Sequence, residues 1–241
     1  MTTRLSTRLL SGCAALLCAA AAHAGILGSQ TYTDSSNDID PGLANGGGTL
    51  DLLSMEVSNS ATDIVFRLTV NGNLNSTDWG KFMIGISTGG AGDTSTNGNG
   101  WGRPISMTST LGGIDYWIGS WVDSGGGAQR WAYSGSSWSE VAATYTSGFG
   151  SFSFSGNQIT YTMSLSSLGL SIGDTFFFDA FSSGGNGGDS AIDALANPNV
   201  SVTGWGGPYT SSSNFSYTLV PGPGAMALIG VAGLLARRRR R

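Results

Sequence analysis

Two tryptophans and two aspartates between residues 115 and 123 have the types and spacing of a ligand-binding face. If the apolar residues around them face a core, Asp115, Trp117, Trp121 and Asp123 point to the opposite side of one strand. At about 3.4 Å per residue the two indoles would lie ~13 Å apart, which suits stacking on separate rings of a glycan. The alternative is that another strand or loop covers them, because exposed tryptophan is costly.

A second candidate is a polar loop in which oxygen-bearing side chains alternate. Asp93, Ser95 and Asn97 precede Gly98, which resembles the start of a calcium-binding loop. The glutamate that such a loop needs at its twelfth position is missing, since Pro104 stands there. The pattern therefore predicts either calcium at Asp93, Ser95 and Asn97 or a plain polar turn.

Asp189 and Asp193 form a third candidate, in a glycine-rich stretch of the chain. Their carboxylates could bind a metal ion, or they could cap a helical turn or stabilise a loop. The sequence does not decide between these alternatives.

Most catalytic chemistry is excluded by the residues that the body of the chain lacks. Both cysteines, Cys13 and Cys18, and the single histidine, His23, lie within the first 24 residues. The rest of the chain therefore has no Ser-His-Asp or Cys-His system, no imidazole base, no Cys/His zinc site and no disulfide. Paired carboxylates remain, as in glycan hydrolases, but the fifteen acidic residues single out no pair. We therefore expect no enzymatic activity and keep a carboxylate-dependent glycan hydrolase as an alternative.

The first 24 residues have the three parts of a secretory signal peptide. Arg4 and Arg8 are basic, the stretch 9–22 is apolar, and Ala22-His23-Ala24 is a small-x-small cleavage site. Cleavage after Ala24 would leave Gly25 as the new N-terminus. A lipoprotein signal ending at Cys13 is disfavoured, because the apolar stretch follows that cysteine instead of preceding it.

The other end of the chain combines a Pro/Gly motif, an apolar segment and a basic cluster. The segment 225–236 contains twelve residues, AMALIGVAGLLA, and would span about 18 Å as a helix, short of the ~30 Å hydrocarbon core. Arginines that follow it can extend the anchor by reaching the head groups and would stay on the cytoplasmic side. The motif consists of Val220, Pro221, Gly222, Pro223 and Gly224, and the basic cluster of Arg237, Arg238, Arg239, Arg240 and Arg241.

This order of parts resembles the PEP-CTERM sorting signal, although Gly222 stands where that family usually has glutamate. The resemblance implies an inner-membrane-tethered intermediate that an exosortase, a membrane protease-transpeptidase, cuts at the motif. It also implies a final location at the cell surface or in the extracellular matrix of a Gram-negative-type bacterium.

Charge disfavours nucleic acid as a partner. All fifteen acidic residues lie between positions 25 and 236, together with four basic residues, so this part of the chain carries a net charge of −11. Such a charge repels phosphates.

Alternating apolar and polar residues predict an all-β fold, an antiparallel, jelly-roll-like β-sandwich over residues 25–219. Sustained helical periodicity is absent from this part of the sequence, and only 165–172 and 189–196 could form a helical turn. The predicted strands lie within 50–57, 64–70, 82–86, 114–122, 152–154, 159–165, 176–180 and 215–219, with one more small hairpin over 131–138.

The order of several short segments is similar to extracellular β-sandwiches of the DOMON and family-nine carbohydrate-binding type. The segments are Leu50-Asp51-Leu52, Ile64-Val65-Phe66, Trp79, 82–86, Asp115-Tyr116, Ser137-Trp138, 159–165 and 189–193. The resemblance implies a ligand-binding sandwich, often for sugars. We therefore expect an exported surface or matrix protein that binds exopolysaccharide, with a structural matrix component lacking a discrete site as the alternative.

Overall fold

In the computed structural model the chain is described over residues 25–76 and 79–221. The strands, numbered in chain order, are β1 (Gly28–Thr33), β2 (Leu52–Asn59), β3 (Asp63–Val70), β4 (Lys81–Ser87), β5 (Ile105–Met107), β6 (Tyr116–Trp121), β7 (Gly127–Tyr133), β8 (Trp138–Ala143), β9 (Ser151–Ser155), β10 (Gln158–Ser164), β11 (Thr175–Ser183), β12 (Asp193–Ala194), β13 (Tyr209–Ser211) and β14 (Phe215–Thr218). Short 3-10 turns occupy Leu74–Ser76, Asp123–Gly125 and Leu165–Leu168. The all-β prediction is confirmed.

The strands form two large antiparallel sheets and one small parallel pair. The first sheet has the order β1-β2-β3-β10-β9. The second has the order β12-β11-β4-β6-β7-β8, and β14 also pairs with β11. Strands β5 and β13 form the parallel pair. Because the remaining pairs are antiparallel, tight turns connect several neighbours, as between β9 and β10.

The two sheets share one hydrophobic core. The Phe66 ring of β3 lies 6.1 Å from both Phe176 and Phe178 of β11, measured between ring centroids. Ser120 of β6 and Tyr161 of β10 join the sheets through a 2.7 Å hydrogen bond between their hydroxyls. Two antiparallel sheets around a common core are consistent with a β-sandwich.

A second, smaller hydrophobic cluster covers the outer face of the second sheet. Met83, Trp117 and Phe181 of this sheet pack with Ile105 and Met107 of β5. The outer face is therefore a buried layer where β5 lies over it.

The alternation of residues placed most strands correctly. Along β3, Ile64, Phe66, Leu68 and Val70 are buried as predicted, and the hairpins β7–β8 and β9–β10 form where their turns were expected. Strands β1, β5, β12 and β13 were not predicted. Of the two segments that could form a helical turn, 165–172 contains the 3-10 turn Leu165–Leu168, whereas 189–196 contains no helix, because Asp193 and Ala194 pair with β11.

Both ends of the described body meet at the end of β2. The Asn59 side chain accepts a hydrogen bond from Val220 N (3.1 Å) and donates one to Val220 O (3.1 Å). The backbone carbonyl of Asn59 accepts a 2.7 Å bond from Leu27 N. Residues 1–24 and 222–241, which hold the predicted signal peptide, apolar segment and arginines, lie outside the described residues. Within the described part, the structure contains no helix of the length and apolarity required to cross a bilayer.

Candidate functional site

The structure separates the two tryptophans that the sequence places on one exposed face. Trp117 has no exposed surface and stacks on Phe181, with ring centroids 5.9 Å apart and an angle of 21° between the planes. The exposed position considered for it is wrong and the covered alternative is correct, because the cluster around β5 covers this part of the sheet. Trp121 is partly exposed. An indole buried like Trp117 cannot stack on a glycan.

The two aspartates that flank these tryptophans have internal partners. Asp115 is 5% exposed and accepts backbone hydrogen bonds from Thr88 (2.7 Å), Gly90 (3.1 Å) and Gly92 (2.8 Å), so it holds the loop after β4. Its predicted position on a solvent face is wrong. Asp123 forms an ion pair with Lys81, with 2.5 Å between Oδ1 and Nζ.

Trp121 lines an open groove of about 210 Å³ on the second sheet. The groove combines two partly exposed indoles with two cationic side chains, and is lined by Lys81, Trp101, Arg103, Trp121, Gly185 and Gly187. Aromatic faces and hydrogen-bond donors are the groups that a sugar ring and its hydroxyls require.

Glycines in the sheet allow both indoles to lie close to the backbone. A Cβ atom added at Gly119 of β6 would lie 2.3 Å from Cζ2 of Trp101, and one at Gly127 of β7 would lie 2.3 Å from Cζ2 of Trp121. Gly119 and Trp121 are two residues apart on the same face of β6, a spacing of about 7 Å. The Trp101 ring thus covers Gly119 of β6 and the Trp121 ring covers Gly127 of β7, and both line the same groove.

Trp101 and Arg103 are held in place by hydrogen bonds. Trp101 Nε1 donates to Gln129 Oε1 at 2.7 Å, and the Arg103 guanidinium lies over the Trp101 ring at 5.4 Å from its centroid. Arg103 Nη1 donates to Ser183 Oγ (2.7 Å) and to the Asp189 carbonyl (3.0 Å). One wall of the groove is therefore pre-organised.

The polar loop at residues 93–98 has the hydrogen bonds of a turn. Asp93 Oδ1 accepts from the Ser95 backbone (2.9 Å) and hydroxyl (2.7 Å), and Asp93 Oδ2 accepts from Trp138 Nε1 (2.9 Å). Burial raises the pKa of Asp93, but the bonds from Ser95 and Trp138 outweigh it, and the pKa lies below its ordinary value. Asn97 donates instead to Gly102 O. The polar turn that the sequence also allowed accounts for these contacts.

Asp189 and Asp193 have different surroundings. Asp189 Oδ2 accepts from the Asn186 backbone at 2.9 Å, which is a turn contact. Asp193 is fully buried, and its carboxylate has one oxygen within 4.8 Å of oxygens of Asp34 and Asp38, which also lie within that distance of each other. Among the described residues, these three are the acidic side chains grouped closely enough to share a metal ion.

Burial raises the pKa of each aspartate in this group. Desolvation raises the pKa of Asp193 to about 9, and the charges of Asp38 and Asp34 raise it further, against the bond from Leu52 N. Desolvation also raises the pKa of Asp34 to about 7 and that of Asp38 above its ordinary value, with Asp51 adding to both. Carboxyls this close cannot all be ionised without a neighbouring cation.

No protein-family model matches the chain, and comparisons with curated proteins and with solved structures found no match. The resemblances to PEP-CTERM proteins and to DOMON-type sandwiches therefore stay predictions. No pattern in the sequence indicates Trp101, which lies in a loop without alternation, or Asp34 and Asp38, whose proximity to Asp193 depends on the packing of distant strands.

Proposed function

We propose that this protein is an exported surface or matrix protein that binds glycans through the groove between Trp101 and Trp121. The observation that carries the binding proposal is the pair of partly exposed indoles beside Lys81 and Arg103. Base stacking on aromatic side chains contributes about 1–3 kcal/mol per ring, and sugar stacking by analogy a similar amount. Two such rings support weak binding to many related chains.

Export and sorting are proposed from the two ends of the sequence. The signal peptide ends at Ala24, and the motif that resembles the exosortase signal begins at Val220. Leu27, three residues after the first point, and Val220, at the second, both bond to Asn59. We propose that the chain is held at the inner membrane by its tail before an exosortase-type enzyme acts on it. A β-sandwich that needs no disulfide is compatible with this route.

The group formed by Asp34, Asp38 and Asp193, called the aspartate cluster below, gives little support to the alternative of a glycan hydrolase. Both carboxylate oxygens of Asp38, and Oδ2 of Asp34, have almost no accessible surface. A catalytic carboxyl must touch the glycosidic oxygen or the anomeric carbon, and a polymer cannot reach these atoms. Binding without cleavage is therefore proposed, with a purely structural matrix role as the second candidate.

Titration of the purified full-length protein with soluble polysaccharides tests the binding proposal. Tryptophan fluorescence should change on addition of a bound glycan. Trp121→Ala and Trp101→Ala should each weaken binding about 5- to 150-fold, the loss of one stacking contact. Their melting temperatures should change less than that of a core variant, because both indoles are partly exposed.

Two matched variants make the result specific. Trp121→Phe keeps an aromatic face and should retain most of the affinity, whereas Val141→Ala alters a 48% exposed apolar residue on β8 outside the groove and should change nothing. If neutral, acidic and basic polysaccharides all fail to bind at millimolar concentration, the structural matrix role replaces the binding proposal.

A further inference from the structure

Several oxygens of the aspartate cluster are buried without a hydrogen-bond donor. Neither oxygen of Asp38 has a partner, nor has Oδ2 of Asp34. Asp51 is fully buried, and its Oδ1 is also unpartnered, although its Oδ2 accepts from the backbone of Asn37 (3.0 Å) and from Asn71 (2.9 Å). Buried carboxylate oxygens normally accept hydrogen bonds or bind a cation. These four atoms have no donor in the described structure.

The cationic side chains of the described residues lie elsewhere. Arg67 pairs with Glu56 and Lys81 with Asp123. Arg103 bonds to Ser183 and the backbone near Asp189, and Arg130 donates to the Gly148 carbonyl. Within residues 25–76 and 79–221, therefore, no lysine or arginine compensates the negative charge of the cluster.

We propose that Asp34, Asp38 and Asp193 bind a calcium ion, with Asp51 next to the site. All three can offer an oxygen within a 4.8 Å span. Calcium accepts oxygen ligands in a flexible geometry, whereas magnesium requires a near-ideal octahedron and gives up its water reluctantly, so carboxylates from a loop and a strand favour calcium. Backbone carbonyls or water would supply the remaining ligands.

The hydrogen bonds of Asp193 orient it for this role. Its Oδ2 accepts from Leu52 N at 2.6 Å and its Oδ1 from Ala194 N at 2.8 Å. Each oxygen keeps a second lone pair, and these backbone bonds fix the carboxylate plane. The site thus has one rigid, fully buried ligand and two ligands, Asp34 and Asp38, on the loop that leaves β1.

The ion would connect the two sheets. Asp34 follows β1 of the first sheet, whereas Asp193 begins β12 of the second. The loop between β1 and β2 runs over 34–51 and has no regular secondary structure. Calcium would fix this loop on the second sheet, in a chain whose body has no cysteine for a disulfide. We infer a structural role for it, separate from glycan binding at Trp101 and Trp121.

Thermal unfolding of the purified full-length protein tests the site directly. After treatment with EDTA, 5 mM CaCl₂ should raise the melting temperature by about 2–9 °C if the dissociation constant is that of an extracellular calcium module, 10⁻⁴–10⁻³ M. Equimolar MgCl₂ should raise it less. Asp38→Asn should abolish the calcium effect without breaking a hydrogen bond, because neither oxygen of Asp38 has a partner. Asp40→Asn, two residues along the same loop, should keep it.

Terbium luminescence provides a second measurement if Asp38→Asn does not fold. The unmodified protein should bind one Tb³⁺ ion that calcium displaces. The proposal is overturned if calcium leaves the melting temperature unchanged, if Tb³⁺ does not bind at one displaceable site, or if folded Asp38→Asn responds to calcium like the unmodified protein. Glycan binding would be unaffected by any of these outcomes, so the two proposals fail separately.

Discussion

Without a cation, the folded protein should lose stability as the pH rises from 5 to 7. Burial raises the pKa of Asp193 to about 9, whereas an aspartate in the unfolded chain titrates near 3.9. Between these values the folded state holds a proton that the unfolded state has released. Each pH unit then lowers the free energy of unfolding by about 1.4 kcal/mol. This stabilisation is complete below pH 4 and is lost progressively up to pH 9.

Over two pH units the release of this proton should lower the free energy of unfolding by about 3 kcal/mol, which corresponds to about 5–11 °C in melting temperature for a domain of this size. Asp179 is also fully buried, and desolvation raises its pKa to about 7, so it adds to the loss over the same range. Asp34 and Asp38 are partly exposed and add less. Asp93, with a lowered pKa, contributes a gain that is complete before pH 5.

Urea unfolding at pH 5, 6 and 7 in EDTA measures this slope. The single imidazole of the chain is removed by His23→Ala, so that variant is the appropriate background. Asp174→Asn alters an exposed aspartate outside the cluster, serves as the control and should keep the slope. Saturating calcium should reduce the dependence of the free energy of unfolding on pH, because the bound ion replaces the protons on the carboxyls. A free energy of unfolding that is constant or rises between pH 5 and 7 in EDTA would refute the reasoning.

Three other predictions concern the second hydrophobic cluster, the groove and the ends of the chain. Trp117→Ala should destabilise the protein by about 3–5 kcal/mol and lower its melting temperature sharply, since the indole is buried; Trp117→Phe should cost less, because Nε1 has no hydrogen-bond partner. Gly127→Ala should displace the Trp121 ring, because the new methyl group would lie 2.3 Å from Cζ2 of Trp121. The free energy of glycan binding should therefore fall by more than the free energy of unfolding measured in a denaturation assay. Intact mass of protein recovered from the cell surface should lack residues 1–24 and the arginine-rich tail, and a soluble full-length cytoplasmic chain would contradict export.

The fold could be predicted where local alternation follows burial. In β3 every second side chain is buried, so the period of two is visible in the sequence itself. Strand β4 is buried on both faces. The alternation of Phe82, Ile84 and Ile86 indicates one buried face, but the burial of Met83 on the other face depends on the second cluster, which the sequence does not reveal. Short strands such as β5 and β13 contain three residues each, too few for a period to be recognised.

The sites could be predicted only in part, because both depend on distant segments. Trp121 was found from its own strand, but the burial of Trp117 depends on β5 and Phe181, which the sequence does not place over it. Trp101 reaches the groove from a loop, and Asp34 meets Asp193 across 159 positions of the chain. For Asp193, the residue type was the only feature of the sequence that indicated a metal ligand.

The contacts of Asn59 have a mechanical consequence for the proposed anchoring. Because Leu27 and Val220 bond to the same residue, the chain would enter and leave the body at one corner, on the first sheet. While both terminal segments are attached to the membrane, they would hold the body at this one corner. A force applied to the C-terminal segment would first break the two hydrogen bonds between Val220 and the Asn59 side chain. The groove belongs to the other sheet. Rotation of the tethered body about this corner would therefore expose the Trp101–Trp121 groove to polymer in different orientations.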